Sequence, residues 1–441
     1  VEINTCCGRE TLEPCVFPSK VDIARAVHDG EFFIALDFSG YYDQFELDEM
    51  VARRMCFQWQ HTFYRLRTLP MGQRQAVGIA NSATQRLLDF DTQSSRQMSI
   101  IDNVIFICER QAVINDAWTF VQPRRQVHAV LHQVDVQTAT RDKVAQLVAQ
   151  QGAWGGIFIN LVDKTVAITE KCIEKTRASW ARRACWQWRD YAAHIGLLFW
   201  AWGIIELPMA DFYALMRFNS EVGKASMVRY AEVKAQGDQA ADANPPNPFW
   251  REPAVIWKSV LPNLWTWTNL VLANAPRAIP RETAPEILVE CDASRWGWSC
   301  CGLHLATDVA MAHSAKWSTE MERRHGERLQ HSTFAEPHGL LGSLLEAHRR
   351  FPEVTRFGVT SDNTATVAAY TRGFTHKSFY INLCLRSVLR HFPPGRFQIY
   401  VKHVPGVDNL ADKGSRGQEV ADGLITGEDK RVLRRRAGYA C

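Results

Sequence analysis

Asp292, Glu336, Asp362 and Asp412 lie in the C-terminal third of a 441-residue chain, at separations of 44, 26 and 50 residues. Gathered by a fold, four carboxylates suit hard divalent cations, because magnesium takes oxygen ligands. Two such ions suit phosphodiester hydrolysis, one activating the attacking water and the other stabilising the leaving oxygen. The elements that must position these acids are legible around them. ILVECDASRWGWSC reads as an apolar strand with Asp292 at its end, and FAEPHGLLGSLLEA as a helix that begins near Glu336. RFGVTSDNTATVAAY reads as a second strand ending at Asp362 before a helix, and VPGVDNLADKGSR as a loop and short helix carrying Asp412. Taken singly, each acid has an ordinary alternative: Asp362, ahead of Asn363 and Thr364, equally suits a helix cap.

The DAS stretch, the helical glutamate, SDN and above all NLADKGSR (Asn409 to Arg416) resemble the ribonuclease H domain of reverse-transcribing retroelements. The resemblance implies that Asp292, Glu336, Asp362 and Asp412 hold two Mg2+ ions, with Mn2+ as a substitute. It places Asp408 in the preceding loop. Such domains are often fused behind a polymerase, and the N-terminal region carries matching motifs. FFIALDFSGYYDQFEL resembles the first metal-binding motif of a reverse-transcriptase palm. By that likeness Asp37 binds both metals and Tyr42, five residues on, screens the ribose 2′-hydroxyl. On the residues alone, Tyr41 and Tyr42 are equally packing aromatics. YRLRTLPMGQRQAVGIANSATQRLLD resembles the second motif, which assigns Met71, Gly72 and Gln73 to the nucleotide pocket, Gly72 allowing close backbone approach. Gln85 lies roughly one helical turn further from Gly72 than the family pattern. SIIDNVIFIC reads as a hairpin with an acid at its tip. Where the family has Tyr-x-Asp-Asp, this chain has Asp102 and then Asn103, so Asp102 is the expected ligand and one negative charge is missing.

A net charge of +4 excludes nucleic-acid binding by bulk charge, so any grip on a phosphate backbone rests on local patches. KCIEKTRASWARRACWQWRDYAAHIG interleaves Arg177, Arg182 and Arg183 with tryptophans, and Trp180, Ala184, Trp188, Tyr191 and Ile195 recur at helical spacing. That predicts one helix with a buried aromatic face and an exposed basic one; a solvated face over a Trp-rich core is the plain alternative. KRVLRRRAGYAC is a second, weaker basic patch. The twelve cysteines lack metal-ligand spacing and read as reduced thiols of an intracellular protein, in cytoplasm or nucleus. No apolar segment is long enough to span a membrane.

The expected fold class is α/β and α+β multidomain: a right-hand polymerase palm with a helical thumb, then a ribonuclease H-like domain. Residues 1–110 read as partial fingers and palm, and 111–170 as the end of the palm, with a helix around HAVLHQVDV and then a hairpin at Gly155 and Gly156, which the resemblance implies grips the primer terminus. Residues 171–235 read as thumb, 236–284 as linker and Trp-rich connection, 285–420 as nuclease and 421–441 as a basic tail. Only 36 residues precede Asp37, too few for fingers, and the chain starts at Val1, so it reads as a piece of a longer polyprotein. Within retroelements it resembles the tyrosine-recombinase class, DIRS-type and trypanosomatid VIPER-like. The resemblance implies RNA-directed DNA synthesis coupled to hydrolysis of RNA in RNA–DNA hybrids. The implied partners are an RNA template, a DNA primer, the hybrid and deoxynucleoside triphosphates. The alternative is a catalytically impaired, nucleic-acid-binding scaffold descended from such an enzyme.

Overall fold

The computed structural model describes residues 17–18, 20–71, 75–92, 94–125, 130–205, 208–236, 247–279, 284–418, 420 and 422–436. It is a mixed α/β chain that divides into two compact units. The first comprises Val1–Glu206, Lys224–Ile256 and Trp265–Glu282, and the second Leu207–Gly223, Trp257–Leu264 and Thr283–Cys441.

In the first unit the leading strands are β1 (Phe32–Asp37), β2 (Cys56–Trp59), β3 (Thr62–Arg65), β4 (Arg96–Ile100) and β5 (Asn103–Cys108). β1, β5 and β4 form an antiparallel sheet with β5 in the centre. That explains why Val104, Ile105, Phe106 and Ile107 are all buried, a continuous run rather than an alternation. The helix Arg110–Val121 seals one face with Val113, Ala117 and Phe120 against Ile34, Leu36 and Phe106. Four further strands follow: β6 (Gln151–Trp154), β7 (Ile157–Asn160), β8 (Thr165–Ile168) and β9 (Arg277–Ala278). β6 and β7 are joined by Gly155 and Gly156, whose φ angles of 54° and 88° are those a tight two-residue hairpin turn demands.

Three expectations change here. The basic aromatic helix is two helices, Glu170–Ala181 and Trp188–Ile205, separated by a short 3-10 turn at Arg183–Cys185. Trp186 is extended at the break and its indole N–H donates to the Ser179 carbonyl at 3.1 Å, so the chain gives up one helix to bury that ring. The segment around HAVLHQVDV is not helical over its described residues 130–136. It runs beside β1, with Ser39 N–H donating to Val130 at 2.9 Å and His132 N–H to the Asp37 carbonyl at 2.9 Å. Asp135 then turns the chain by accepting from Gln137 N–H and the Thr138 hydroxyl, and the helix begins only at Arg141. Finally, Arg277 and Ala278, inside the segment read as linker and connection, pair with Val166 and Thr165 as a strand.

The second unit contains β10 (Ile287–Ala293), β11 (Gly297–His304), β12 (Val309–Lys316), β13 (Arg356–Ser361) and β14 (Gln398–His403) in the order β12-β11-β10-β13-β14. The first three pair antiparallel and β10, β13 and β14 pair parallel. The helix Ser332–Arg350 supplies the crossover and packs Leu340, Leu344 and Ala347 on Val289, Cys291, Phe357 and Val359. It sits unusually close to the sheet because Gly339 and Gly342 face it. A Cβ at Gly339 would lie 2.7 Å from that of Ala293, and one at Gly342 would lie 2.8 Å from the Trp298 ring. The basic tail is partly a helix, Gly427–Arg436, with Lys430 and Arg434 paired to Asp308 at 2.8 and 2.6 Å. Among the described residues no helix is long and apolar enough to cross a membrane.

Candidate metal centre and acidic hairpin

β10 and β13 place two of the acids. Their parallel register runs from Ile287↔Phe357 to Glu290↔Thr360, and the same offset sets Asp292 opposite Asp362, one residue beyond β13. Both carboxylates therefore leave neighbouring strand ends toward one face. The closely seated helix brings Glu336 onto that face, where its Oε1 accepts from Ala293 N–H at 3.4 Å. One carboxylate oxygen from each of Asp292, Glu336 and Asp362 lies within 4.8 Å of the other two. Glu336 is 4% and Asp292 5% exposed.

Electrostatics follow from that crowding. Burial raises the Glu336 carboxyl from 4.5 to about 9, with Asp292 and Asp362 adding to the shift. Burial likewise raises Asp292, which the Ser415 hydroxyl partly offsets, and raises Asp362. Among the described residues Glu336 Oε2 is buried with no partner in good hydrogen-bond geometry, although the nearby Ser361 hydroxyl acts to lower this carboxyl. Three repelling oxygen donors and an unsatisfied buried lone pair are what a hard divalent cation would relieve, so the donor set fits Mg2+ or Mn2+.

Asp412 stands apart. Its Oδ1 accepts from Arg416 at 2.9 and 2.7 Å, a one-turn helical pair, although its charge is felt by Asp292 and Asp362. The structure thus brings three of the four acids together and gives the fourth a cationic partner. Sequence reasoning passed over two residues of the same NLADKGSR stretch. The Ser415 hydroxyl donates to Asp292 Oδ2, and Asn409 Nδ2 donates to the Cys291 carbonyl at 3.0 Å. Both tie the C-terminal motif to the end of β10, and their polarity inside a motif was the available signal. His403 Nε2 similarly holds the Asp362 carbonyl at 3.1 Å.

In the first unit Asp37 ends β1 opposite Asn103, and Asp102 occupies a two-residue turn between β4 and β5. Its neighbour Ile101 has φ 55°, a costly conformation for a β-branched residue. Burial raises the Asp37 carboxyl, Asp102 raises it further, and His132 and Lys171 pull it down. Among the described residues Asp37 Oδ1 is buried without a partner, and its Oδ2 lies 3.8 Å from His132 Nε2. Asn103 Nδ2 donates to Asp102 Oδ1 at 3.0 Å. His132 and Gln133, the latter accepting Asp37 N–H at 2.8 Å, are neighbours that no sequence motif announced. Tyr41 is a core residue, its hydroxyl 2.7 Å from that of Thr84, whereas Tyr42 is partly buried against the same core. Met71 is 82% exposed; Gly72 and Gln73 lie outside the described residues. Arg177, Arg182 and Arg183 are exposed around the helix break, Arg183 lying 4.8 Å over the Trp180 ring.

No description of a protein family and no curated protein matches the chain. Solved structures resemble it at low similarity. The foamy viral protease–reverse transcriptase dRH in complex with double-stranded DNA gives a TM-score of 0.39 at 11% identity, over 89% of this chain and 60% of that one. A second such complex gives 0.38 at 10%, over 88% and 72%. The same viral protein with an RNA/DNA hybrid gives 0.35 at 10%, over 88% and 46%. This chain therefore spans about 60% of the first of these proteins.

Proposed function

We propose that the second unit hydrolyses the RNA strand of RNA–DNA hybrids with divalent cations, and that the first carries the palm and, in residues 171–206 and 224–235, most of the thumb of an RNA-directed DNA polymerase. The observation that carries this reading is the convergence of Asp292, Glu336 and Asp362 within 4.8 Å. Bound cations would supply the activation of water and the stabilisation of the leaving oxygen. Asp292 and Asp362 would hold them from two rigid strand ends, Glu336 would offer its unpartnered Oε2 from the helix, and Ser415 and Asn409 would keep the end of β10 oriented. In the first unit Asp37 and Asp102 would hold cations, and Tyr42 would face the sugar of a deoxynucleoside triphosphate at a DNA primer on an RNA template.

Asp362→Asn tests the nuclease reading: hybrid cleavage is expected to vanish with the fold retained, and an Asp362→Asn chain that cuts at the parental rate overturns it. One observation favours a second reading for the first unit, a nucleic-acid-binding scaffold without synthesis. The missing second acid is Asn103, whose amide engages Asp102. Preorganised charge is the main source of such catalysis, so cleavage is expected to be the sturdier activity. Following primer extension and RNA cleavage on one labelled hybrid separates the readings, since vigorous extension without cleavage reverses this order.

A further inference from the structure

The turn that follows Asp292 is built more firmly than an exposed turn needs to be. Ser294 N–H donates to Gly297 at 2.9 Å, and the Ser294 hydroxyl donates to the Ser415 carbonyl at 2.6 Å. The same Ser294 oxygen accepts from Trp296 N–H at 3.0 Å, the Trp317 indole N–H donates to the Ser294 carbonyl at 2.8 Å, and Trp317 N–H donates to Trp296 O at 3.4 Å. This framework leaves the Trp296 side chain 56% exposed, with the Arg295 guanidinium 3.9 Å from its ring centroid. Lys316, opposite Gly297 in the β11–β12 register, is exposed beside the same turn. Among the described residues neither Arg295 nor Lys316 makes an ion pair, whereas Arg323 and Arg324 pair with Glu320 and Arg416 pairs with Asp412.

A solvent-facing tryptophan under a guanidinium, with two cations unpaired among the described residues on and opposite the turn that follows β10, is a poor stability device. It is a good receptor for a polyanion with flat faces. We infer that Arg295, Trp296 and Lys316 form a strand-binding element for nucleic acid, Trp296 lying against a base or ribose and the two cations against phosphates. Arg295 lies three residues along the chain from Asp292, a reach of at most about 10 Å, or about three nucleotide steps, so a strand held on the turn would pass within a few nucleotides of the carboxylates. Because the contact is made by side chains on a turn fixed through backbone and serine hydrogen bonds, it can be removed without unfolding the turn. The inference deepens the nuclease reading and rests on it for the identity of the strand.

The test uses the full chain and a fluorescent RNA–DNA hybrid in EDTA, where binding is read without cleavage. Trp296→Ala is expected to weaken binding about tenfold, within the range for one aromatic–base contact, and Trp296→Phe to restore most of it. Arg295→Ala and Lys316→Ala should each lower the slope of log affinity against log salt by about one. A photoreactive 5-iodouridine in the RNA strand should cross-link to the peptide carrying Trp296. Unchanged affinity and cross-linking in Trp296→Ala, with cleavage intact, overturns this inference alone. Binding that depends on Trp296 in a chain that never cuts supports it and removes only the nuclease reading. A change in sedimentation of the nucleic-acid-free Trp296→Ala chain, with hybrid affinity unaltered, marks a protein contact and also overturns it.

Discussion

Glu336→Gln isolates the electrostatic cost of the carboxylate cluster. In the cation-free protein burial raises this carboxyl from 4.5 to about 9, so the folded state holds the proton more tightly than the unfolded chain does. The associated stability is complete below the unfolded value and is lost as the pH climbs toward the folded one. One pH unit within that window costs about 1.4 kcal/mol. Between about pH 5 and pH 7.5 the parental second unit should lose roughly 3 kcal/mol that the carboxamide variant keeps. Asp292 and Asp362 remain in both proteins, so the divergence of the two profiles reports Glu336. Urea titration in EDTA, read by hydrogen exchange of peptides from β10 and β13, measures the second unit by itself. Magnesium should restore the parental protein at neutral pH and do far less for Glu336→Gln. Parallel pH profiles, or equal protection by magnesium, would refute the reasoning.

Gly339→Val should push the crossover helix off Ala293, costing about 1–3 kcal/mol of stability in the second unit and abolishing hybrid cleavage; an unaltered cleavage rate would show that the close seating is incidental. In a chain that extends primers, Asp102→Ala should stop synthesis while Asn103→Ala has a smaller effect, and equal losses would contradict the assignment of Asp102. Tyr42→Ala should admit ribonucleotides, measured as the ratio of ribo- to deoxynucleotide incorporation; an unchanged ratio removes Tyr42 from the gate.

The strand ends at Asp292 and Asp362 were legible because each follows a short apolar run, and Glu336 because a helix had to begin near it. Membership of the cluster was not fully legible. A motif gives order along the chain, but it does not announce that the Asp412 carboxylate pairs with Arg416, one turn away and equally part of the motif. The break between the basic helices escaped because helical spacing from Trp180 to Ile195 is unbroken in the sequence; only tertiary packing, Trp186 folding back on Ser179, interrupts it. HAVLHQVDV misled for the opposite reason. Its apolar residues follow a strand edge and a turn set by Asp135, which no local periodicity announces. Two glycines at Gly155 and Gly156 were enough to place a hairpin, because few other residues tolerate that geometry.

The parallel pairing of β10 and β13 has a kinetic meaning. Asp292 and Asp362 become neighbours only after the intervening hairpin, crossover helix and loop have all been laid down, and Glu336 lies within that excursion. Loop closure must come before the carboxylates meet, so their mutual repulsion, and its relief by a cation, enters late in folding. A cation at this centre would act as a latch rather than a nucleus: it would leave the rate at which the second unit forms nearly unchanged and lengthen the time for which it stays formed.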